Sequence, residues 1–473
     1  MTAAVAAIDL GATSGRVMVG QVGPDTLELR QVGRFSNGPV RTPDGLHWNL
    51  QALYAHVLDG LTSASRWDAE IRSLGIDSWA VDYALLRGDR VLGEPFHYRD
   101  ERTARGVELV HAEAPFDQLY PRNGLQFLPF NTLYQLALER EAGMLDVADR
   151  ALLVPDLMAW FLTGEAVAEA TNASTTGLVD VTTKAWDAEL MGRLGLPRGL
   201  FPDLVQPGAR IGGILPHVVE STGLGRGTPV VAVGSHDTAS AVVATPMVEP
   251  GGAYISCGTW GLVGVETERP VLTRSAQRAN FTNEGGVDGR TRFLHNVMGL
   301  WLLSETIRTW ERDGEKVDLE RLLAEAAAVT DPMDVFDAND EAFMAPGDMP
   351  ARISTWLAGR SLRVPTTRPE MARCIIESLA QAFADAVHDA SALSGQDVHR
   401  IHITGGGSLN ELLCQRTADR AAVPVLAGPV EATAIGNVLV QGRAVGAVSG
   451  SLESLRDLVA RTFKPRVFTP KGQ

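Results

Sequence analysis

Ile8-Asp-Leu-Gly-Ala-Thr-Ser-Gly-Arg16 interrupts a run of small and β-branched apolar residues near the start of the chain. It reads as strand, turn, strand, with Val5 to Leu10 leading out, Gly11 to Gly15 turning and Arg16 to Val22 returning. A strand that returns at once is not the strand-to-helix order of a dinucleotide fingerprint, and without Gly-Lys-Thr/Ser the turn is not a Walker A loop. Two readings stay open: an ordinary Gly-rich β-turn, or a phosphate cradle in which Gly11 and Gly15 admit an anion that Thr13 and Ser14 bind. Ser256-Cys-Gly-Thr-Trp260 repeats the arrangement about 245 residues later, again with a Gly just before a Thr between apolar strands. The pair predicts two similar α/β domains facing one another across a cleft.

The length of 473 residues is enough for two or three cores. Against 42 Lys and Arg stand 57 Asp and Glu, a formal net charge of −15. That balance disfavours nucleic acid and anionic membranes as partners and favours a small-molecule substrate. Cys257, Cys374 and Cys414 are far apart with no CxxC spacing, so neither a zinc site nor a disulfide framework is expected. The N-terminus has no basic segment and no apolar run is long enough to span a bilayer, which predicts a cytoplasmic protein, monomeric or a small homo-oligomer.

Val230 to Val233 suits a strand covered on both faces, Gly234 ends it, and Ala239 to Ala244 is helical. Asp237 falls at the junction. It could cap the helix, but Ser235, Thr238 and Ser240 compete for that single position, and the surplus points to a site. Asp77-Ser-Trp-Ala-Val-Asp-Tyr83 crowds rings and carboxylates as sugar-binding loops do, although a core Trp beside a strand end explains it equally. Asn131 or Thr132 is read as a helix cap, the Thr171 to Thr176 cluster as turn chemistry, Asn283 to Gly286 as a turn, and Phe293 to Leu303 as a helix-like run carrying His295, Asn296 and Trp301. Phe336 to Pro350 is an ordered excursion, and the three- and four-residue spacing from Ile375 to Val387 predicts an amphipathic helix. Gly405-Gly-Gly407 follows the strand Ile401 to Thr404 and is either a flexible loop or a place where backbone meets an anionic ligand.

Together these segments resemble the FGGY carbohydrate kinases. The resemblance covers nearly the whole chain, through Ile8 to Arg16, Gly75 to Asp82, Tyr98-Arg-Asp100, Gly124 to Gln135, Ser235-His-Asp-Thr-Ala-Ser240, Asn296-Val-Met-Gly-Leu-Trp301 and Ala345 to Arg352. It implies two actin- or hexokinase-like domains of ribonuclease H-like fold with a catalytic cleft between them. Residues 1–245 would bind sugar and supply the base, and 246–473 would bind nucleotide, with the last helical segment packing back on the first domain. It further implies an ATP- and Mg²⁺-dependent phosphotransferase acting on O1 of L-rhamnulose in L-rhamnose catabolism. L-fuculose, xylulose or ribulose are alternative substrates, and a non-catalytic nucleotide-dependent sensor is the alternative of another class. By the same resemblance Asp237 is the catalytic base, Trp79, Ala80, Asp82, His236, Thr238 and Asn296 meet the sugar, and Ala12, Thr13, Ser14, Gly15, Arg16, Thr259, Ser304, Gly405 and Gly406 meet the nucleotide. Asp9 is the outer-shell metal candidate. Two residues depart from the pattern: Ala80 stands in place of Gly, and Ser304 in place of Gln.

Overall fold

A computed structural model describes residues 2–67, 70–314 and 316–471. The chain divides into two compact units that are not simple halves. The first comprises Met1–Val248, Glu266–Phe293 and Ala432–Thr462, and the second Glu249–Val265, Leu294–Glu431 and Phe463–Gln473.

The sheet of the first unit runs in the order Arg210–Gly213, Pro229–Val231, Ile71–Ser78, Ala3–Leu10, Ser14–Gly23, Thr26–Ser36. Ala3–Leu10 pairs antiparallel with Ser14–Gly23, as the opening hairpin requires, and parallel with Ile71–Ser78 on its other edge. Side chains on both faces of Ala3–Leu10 are buried, which explains a strand with no polar residue before Asp9. Side chains alternate between the faces of Ser14–Gly23. Val17 would meet a Cβ placed on Gly60 of the helix Leu50–Ser65, whereas Gly20 and Val22 adjoin Val438 and Gly442 of the helix Ala432–Ala444. One face is thus covered by an early helix and the other by a helix from near the end of the chain. A second apolar cluster in this unit gathers Tyr83, Leu85, Val110, Leu133, Tyr134 and Leu153.

The second unit repeats the pattern of pairings. Trp260–Thr267 is antiparallel to Gly252–Cys257, which is parallel to Arg400–Thr404, which is parallel to Val425–Ala427, which is antiparallel to Arg466–Phe468. The same order of antiparallel, parallel, parallel and antiparallel neighbours runs from Ser14–Gly23 to Arg210–Gly213 in the first unit. The periodic segment forms the helix Arg368–Ser394, opened by a capping box at Thr367 and closed by Gly395.

Two readings are corrected. Phe293 to Leu303 is not one helix: Thr291–Met298 is a strand and a helix begins at Trp301. Gly299 separates them, because a Cβ there would lie 2.5 Å from the Trp260 backbone. Asn283 to Gly286 is not a turn either, since Thr282–Gly285 is a strand with Thr282, Asn283 and Glu284 buried.

Candidate active site

Pro229–Val231 pairs parallel with Ile71–Ser78, and the chain continues beside it until the Ser78 N–H donates to the Ser235 carbonyl at 2.9 Å. The helix Asp237–Val243 then begins. Its N-cap is His236, with no side-chain cap bond, so Asp237 is the first helical residue and its carboxylate is not spent on capping. That side chain is 32% exposed among buried neighbours, and it accepts from Thr238 Oγ1 at 3.1 Å. His236 Nε2 stands 3.5 Å from Asp237 Oδ1. The surplus of polar residues is partly structural: Ser235 donates its N–H and hydroxyl to Glu169 at 3.0 and 2.7 Å, and Ser240 Oγ donates to the Gly234 carbonyl.

Register places Asp9 opposite Asp77 at the ends of parallel strands. Asp9 accepts from Arg16 Nε at 2.8 Å. Asp77 is fully buried and accepts from Asn437. Burial, and after it the adjacent Asp9, push the Asp77 carboxyl well above the usual range, with a smaller push from Asp237 and the Asn437 hydrogen bond opposing them.

The turn at Gly11 to Thr13 is tight: Gly11 N–H donates to the Ser14 carbonyl, and Asn37 holds the Gly11 and Thr13 carbonyls. A Cβ on Gly15 would overlap the Phe35 ring at 2.3 Å and one on Gly11 would press on Ser14 O, so packing and turn closure already require both glycines. Thr13 is exposed, with Ala12, Ser14 and Arg16 half-buried.

In the second unit Gly258 and Thr259 form the tip of the other hairpin, and their carbonyls accept from the Leu300 and Trp301 N–H groups. Gly405 has φ +79°, and a Cβ on Gly405 or Gly407 would collide with Cys257. Only Gly406 of the triplet is open, with nothing within 4 Å of a Cβ. Ser304 is exposed on the helix Trp301–Arg312, and Asn296 is half-buried in the strand Thr291–Met298.

Of the expected sugar contacts near residue 80, Ala80 alone is half-exposed, between buried Trp79 and Val81. Val81 has φ +69° while Asp82 N–H reaches back to the Ala80 carbonyl at 2.9 Å, a strained three-residue turn for a β-branched side chain. Thr132 Oγ1 secures it by donating to the Val81 carbonyl, so Thr132 braces this turn instead of capping its own helix. Asp82 is corrected from sugar contact to framework. It is 1% exposed, its Oδ2 accepts from Trp48 Nε1, Trp79 Nε1 and Tyr98 N–H, and its Oδ1 accepts from Gln135 Nε2, so framework donors hold both oxygens. Trp79 is corrected with it, because its ring packs 4.0 Å from that of Trp48 and its N–H is spent on Asp82.

Sequence reasoning missed the groups behind His236. Arg292, fully buried, donates from Nη2 to His236 Nδ1 at 3.0 Å and from Nε to the Gly285 carbonyl at 2.9 Å. Glu284 Oε2 lies 3.1 Å from Arg292 Nη2 and 3.2 Å from His236 Nδ1. Burial would raise the Glu284 carboxyl, but opposing interactions, the Arg292 charge the largest of them, hold it below the usual range. Glu169 was missed too. It accepts from Thr171 and Asn172 as well as Ser235, and Thr171 Oγ1 in turn accepts from His236 N–H. The polar clusters at Thr171 and Asn283 were the available signals.

Comparison with known proteins matches residues 4–244 to the N-terminal domain and 253–445 to the C-terminal domain of the FGGY family of carbohydrate kinases. A rhamnulokinase from Bacteroides thetaiotaomicron is 38% identical over 468 residues, 98% of this chain and 95% of that protein. One from Pectobacterium carotovorum is 42% identical over 474 residues, 99% of this chain and 93% of that protein. Among solved structures, a ligand-bound xylulose kinase from Lactobacillus acidophilus superposes with TM-score 0.81 at 18% identity, covering 99% of this chain and 94% of the other. The Plasmodium falciparum glycerol kinase with ADP gives TM-score 0.77 at 15% identity, over 100% and 95% of the two chains. No helix among the described residues is long and apolar enough to cross a membrane.

Proposed function

Since the chain belongs to the FGGY family of carbohydrate kinases, two-domain phosphotransferases that act on a sugar hydroxyl with ATP and Mg²⁺, we propose that it is a rhamnulokinase, transferring the γ-phosphoryl of ATP to O1 of L-rhamnulose. The observation that carries this reading is Asp237, an accessible carboxylate oriented by Thr238 at a junction whose other polar groups are occupied by the framework. Asp237 accepts the sugar hydroxyl's proton as its oxygen attacks phosphorus. His236, Thr238, Ala80 and Asn296 contact the sugar, and Ala12 to Arg16, Thr259, Ser304, Gly405 and Gly406 contact the nucleotide, with Gly406 the open backbone position. Phosphoryl transfer has a loose transition state, so orientation and charge stabilisation provide most of the acceleration.

Among the described residues no group of three or more His, Cys, Asp or Glu could hold a metal ion. Asp9, at the end of its strand beside Arg16, would be the outer partner of Mg²⁺ carried in with the nucleotide, an ion that keeps several of its waters. Mg²⁺ supplies charge neutralisation on the phosphate oxygens.

Coupled ADP release across a panel of ketoses, with wild type and Asp237→Asn, tests the reading. Wild type should turn over L-rhamnulose in preference to L-fuculose, xylulose and ribulose, and the variant should lose about two to four orders of magnitude in kcat. A folded Asp237→Asn protein with wild-type turnover removes the base assignment, and preference for another ketose removes the substrate.

A further inference from the structure

Arg292 is an unusual neighbour for a histidine beside a catalytic carboxylate. A guanidinium carries N–H donors, has no acceptor and keeps its proton at every pH at which the protein is folded. Its direction is fixed twice, by Nε on the Gly285 carbonyl at 2.9 Å and by the ion pair with Glu284 at 3.1 Å, and the whole side chain is sealed from solvent. Nη2 therefore points an N–H at His236 Nδ1 from 3.0 Å. If Nδ1 carried a proton, two hydrogens would face each other across that gap. With a lone pair on Nδ1 the contact is a good hydrogen bond, whereas Glu284 Oε2, 3.2 Å from Nδ1, makes no hydrogen bond with it, so the single proton of a neutral ring sits on Nε2. Nε2 is the atom 3.5 Å from Asp237 Oδ1, slightly beyond hydrogen-bond length.

We propose that Arg292, anchored by Glu284 and the Gly285 carbonyl, is a positioning residue that locks His236 in the Nε2–H tautomer. His236 then presents a donor, not a lone pair, beside the Asp237 carboxylate. The opposite tautomer would set a lone pair against that carboxylate and leave no donor for a substrate oxygen entering between them. Without Arg292, Glu284 as the remaining partner would draw the proton to Nδ1 and impose that wrong tautomer. The inference deepens the kinase reading and rests on it for its consequence in turnover, but the tautomer itself can be read without turnover.

The test is long-range ¹H–¹⁵N correlation on the full chain labelled with ¹⁵N-histidine, with His236 assigned by its loss in His236→Gln. Wild type should show a pyridine-like Nδ1 and a protonated Nε2. Arg292→Met should invert the pattern and lower kcat by about 100-fold, the usual penalty for a misplaced reacting group. Arg292→Lys, which keeps a donor that cannot accept, should retain the wild-type tautomer and recover part of kcat. An Nδ1–H or doubly protonated ring in wild type overturns the proposal, even if Arg292→Met fails to fold. So does a folded Arg292→Met with an unchanged tautomer. Absence of sugar-dependent ADP release from a wild type showing the expected tautomer would instead refute the kinase reading and leave the lock standing.

Discussion

Gly436→Ala isolates how closely the helix that carries Asp237 is held. A Cβ on Gly436 would lie 1.8 Å from the Ser240 carbonyl oxygen, 2.6 Å from its carbon and 3.1 Å from Cα. All three are backbone atoms of the helix Asp237–Val243, so no side chain can rotate aside. Restoring ordinary contact requires the two helices to part by about 1.5 Å. Asp237 is one turn from Ser240 on the same short helix and must travel with it, by about 1 Å. Overpacking of this kind costs about 1–3 kcal/mol, and a displacement of that size at the reacting group costs about 100-fold in kcat. The assay pairs thermal melts with coupled ADP release, using Gly442→Ala as control. There the three atoms nearest the added Cβ all belong to the Val22 side chain, the closest at 2.7 Å, so stability should fall while kcat stays within about twofold. A folded Gly436→Ala enzyme with kcat within about threefold of wild type would refute the claim that this contact positions the acid.

Further outcomes follow from other sites. Ala422 ends the helix Glu411–Ala421 at φ +57°, so Ala422→Gly should stabilise the protein by about 1 kcal/mol, read as a higher melting temperature; an unchanged or lower value contradicts this. Burial, with Arg99 nearby, pushes the His97 imidazole down to about 3, so the unfolded chain takes up its proton first and His97 removes stability as pH falls below about 6.5, by about 1.4 kcal/mol per pH unit. Asp82 runs the other way. Burial pushes its carboxyl up to about 7 despite its four N–H donors, so its contribution is full below about pH 4 and is lost as pH rises towards 7. The two oppose one another between about pH 4 and 6.5, and His97→Gln should therefore destabilise the protein less at pH 5 than at pH 7.5; a pH-independent difference between the two melting curves would show that His97 is not held neutral.

The hairpins were legible because a Gly-containing turn between two apolar runs leaves the chain little alternative to returning on itself. The helix Arg368–Ser394 was legible from its period, with one apolar face and one wet one. Thr291–Met298 was misread for a physical reason. Phe293, Leu294, Val297, Met298, Trp301 and Leu302 fall at the spacing of a helix stripe, and a strand covered on both faces has no polar alternation to betray it. Asp237 was visible as an acid at a strand-to-helix junction, yet what fixes its surroundings was not. Glu169, Glu284 and Arg292 reach the His236 segment across long sequence separations, and nothing in a local window distinguishes a buried ion pair from a charged turn. Asp82 illustrates the converse, since a carboxylate among rings in sequence looks like a ligand site until its four donors are counted.

The coverage of the first sheet by Ala432–Ala444 has a consequence for how the protein is made. A chain leaves the ribosome N-terminus first, and about 180 residues separate Val248 from Ala432, roughly 10–40 s of synthesis at ordinary elongation rates. Throughout that interval Gly20 and Val22 lack Val438 and Gly442 opposite them, and Asp77 lacks its Asn437 donor. The unit that begins first is therefore unfinished until Ala432–Thr462 has been made, and a nascent chain cut short before those helices is left with an open sheet for chaperones and proteases to recognise. Translation through Ala444 thus becomes a condition of covering the sheet that carries Asp9 and Asp77, and a chain terminated earlier lacks a finished first unit.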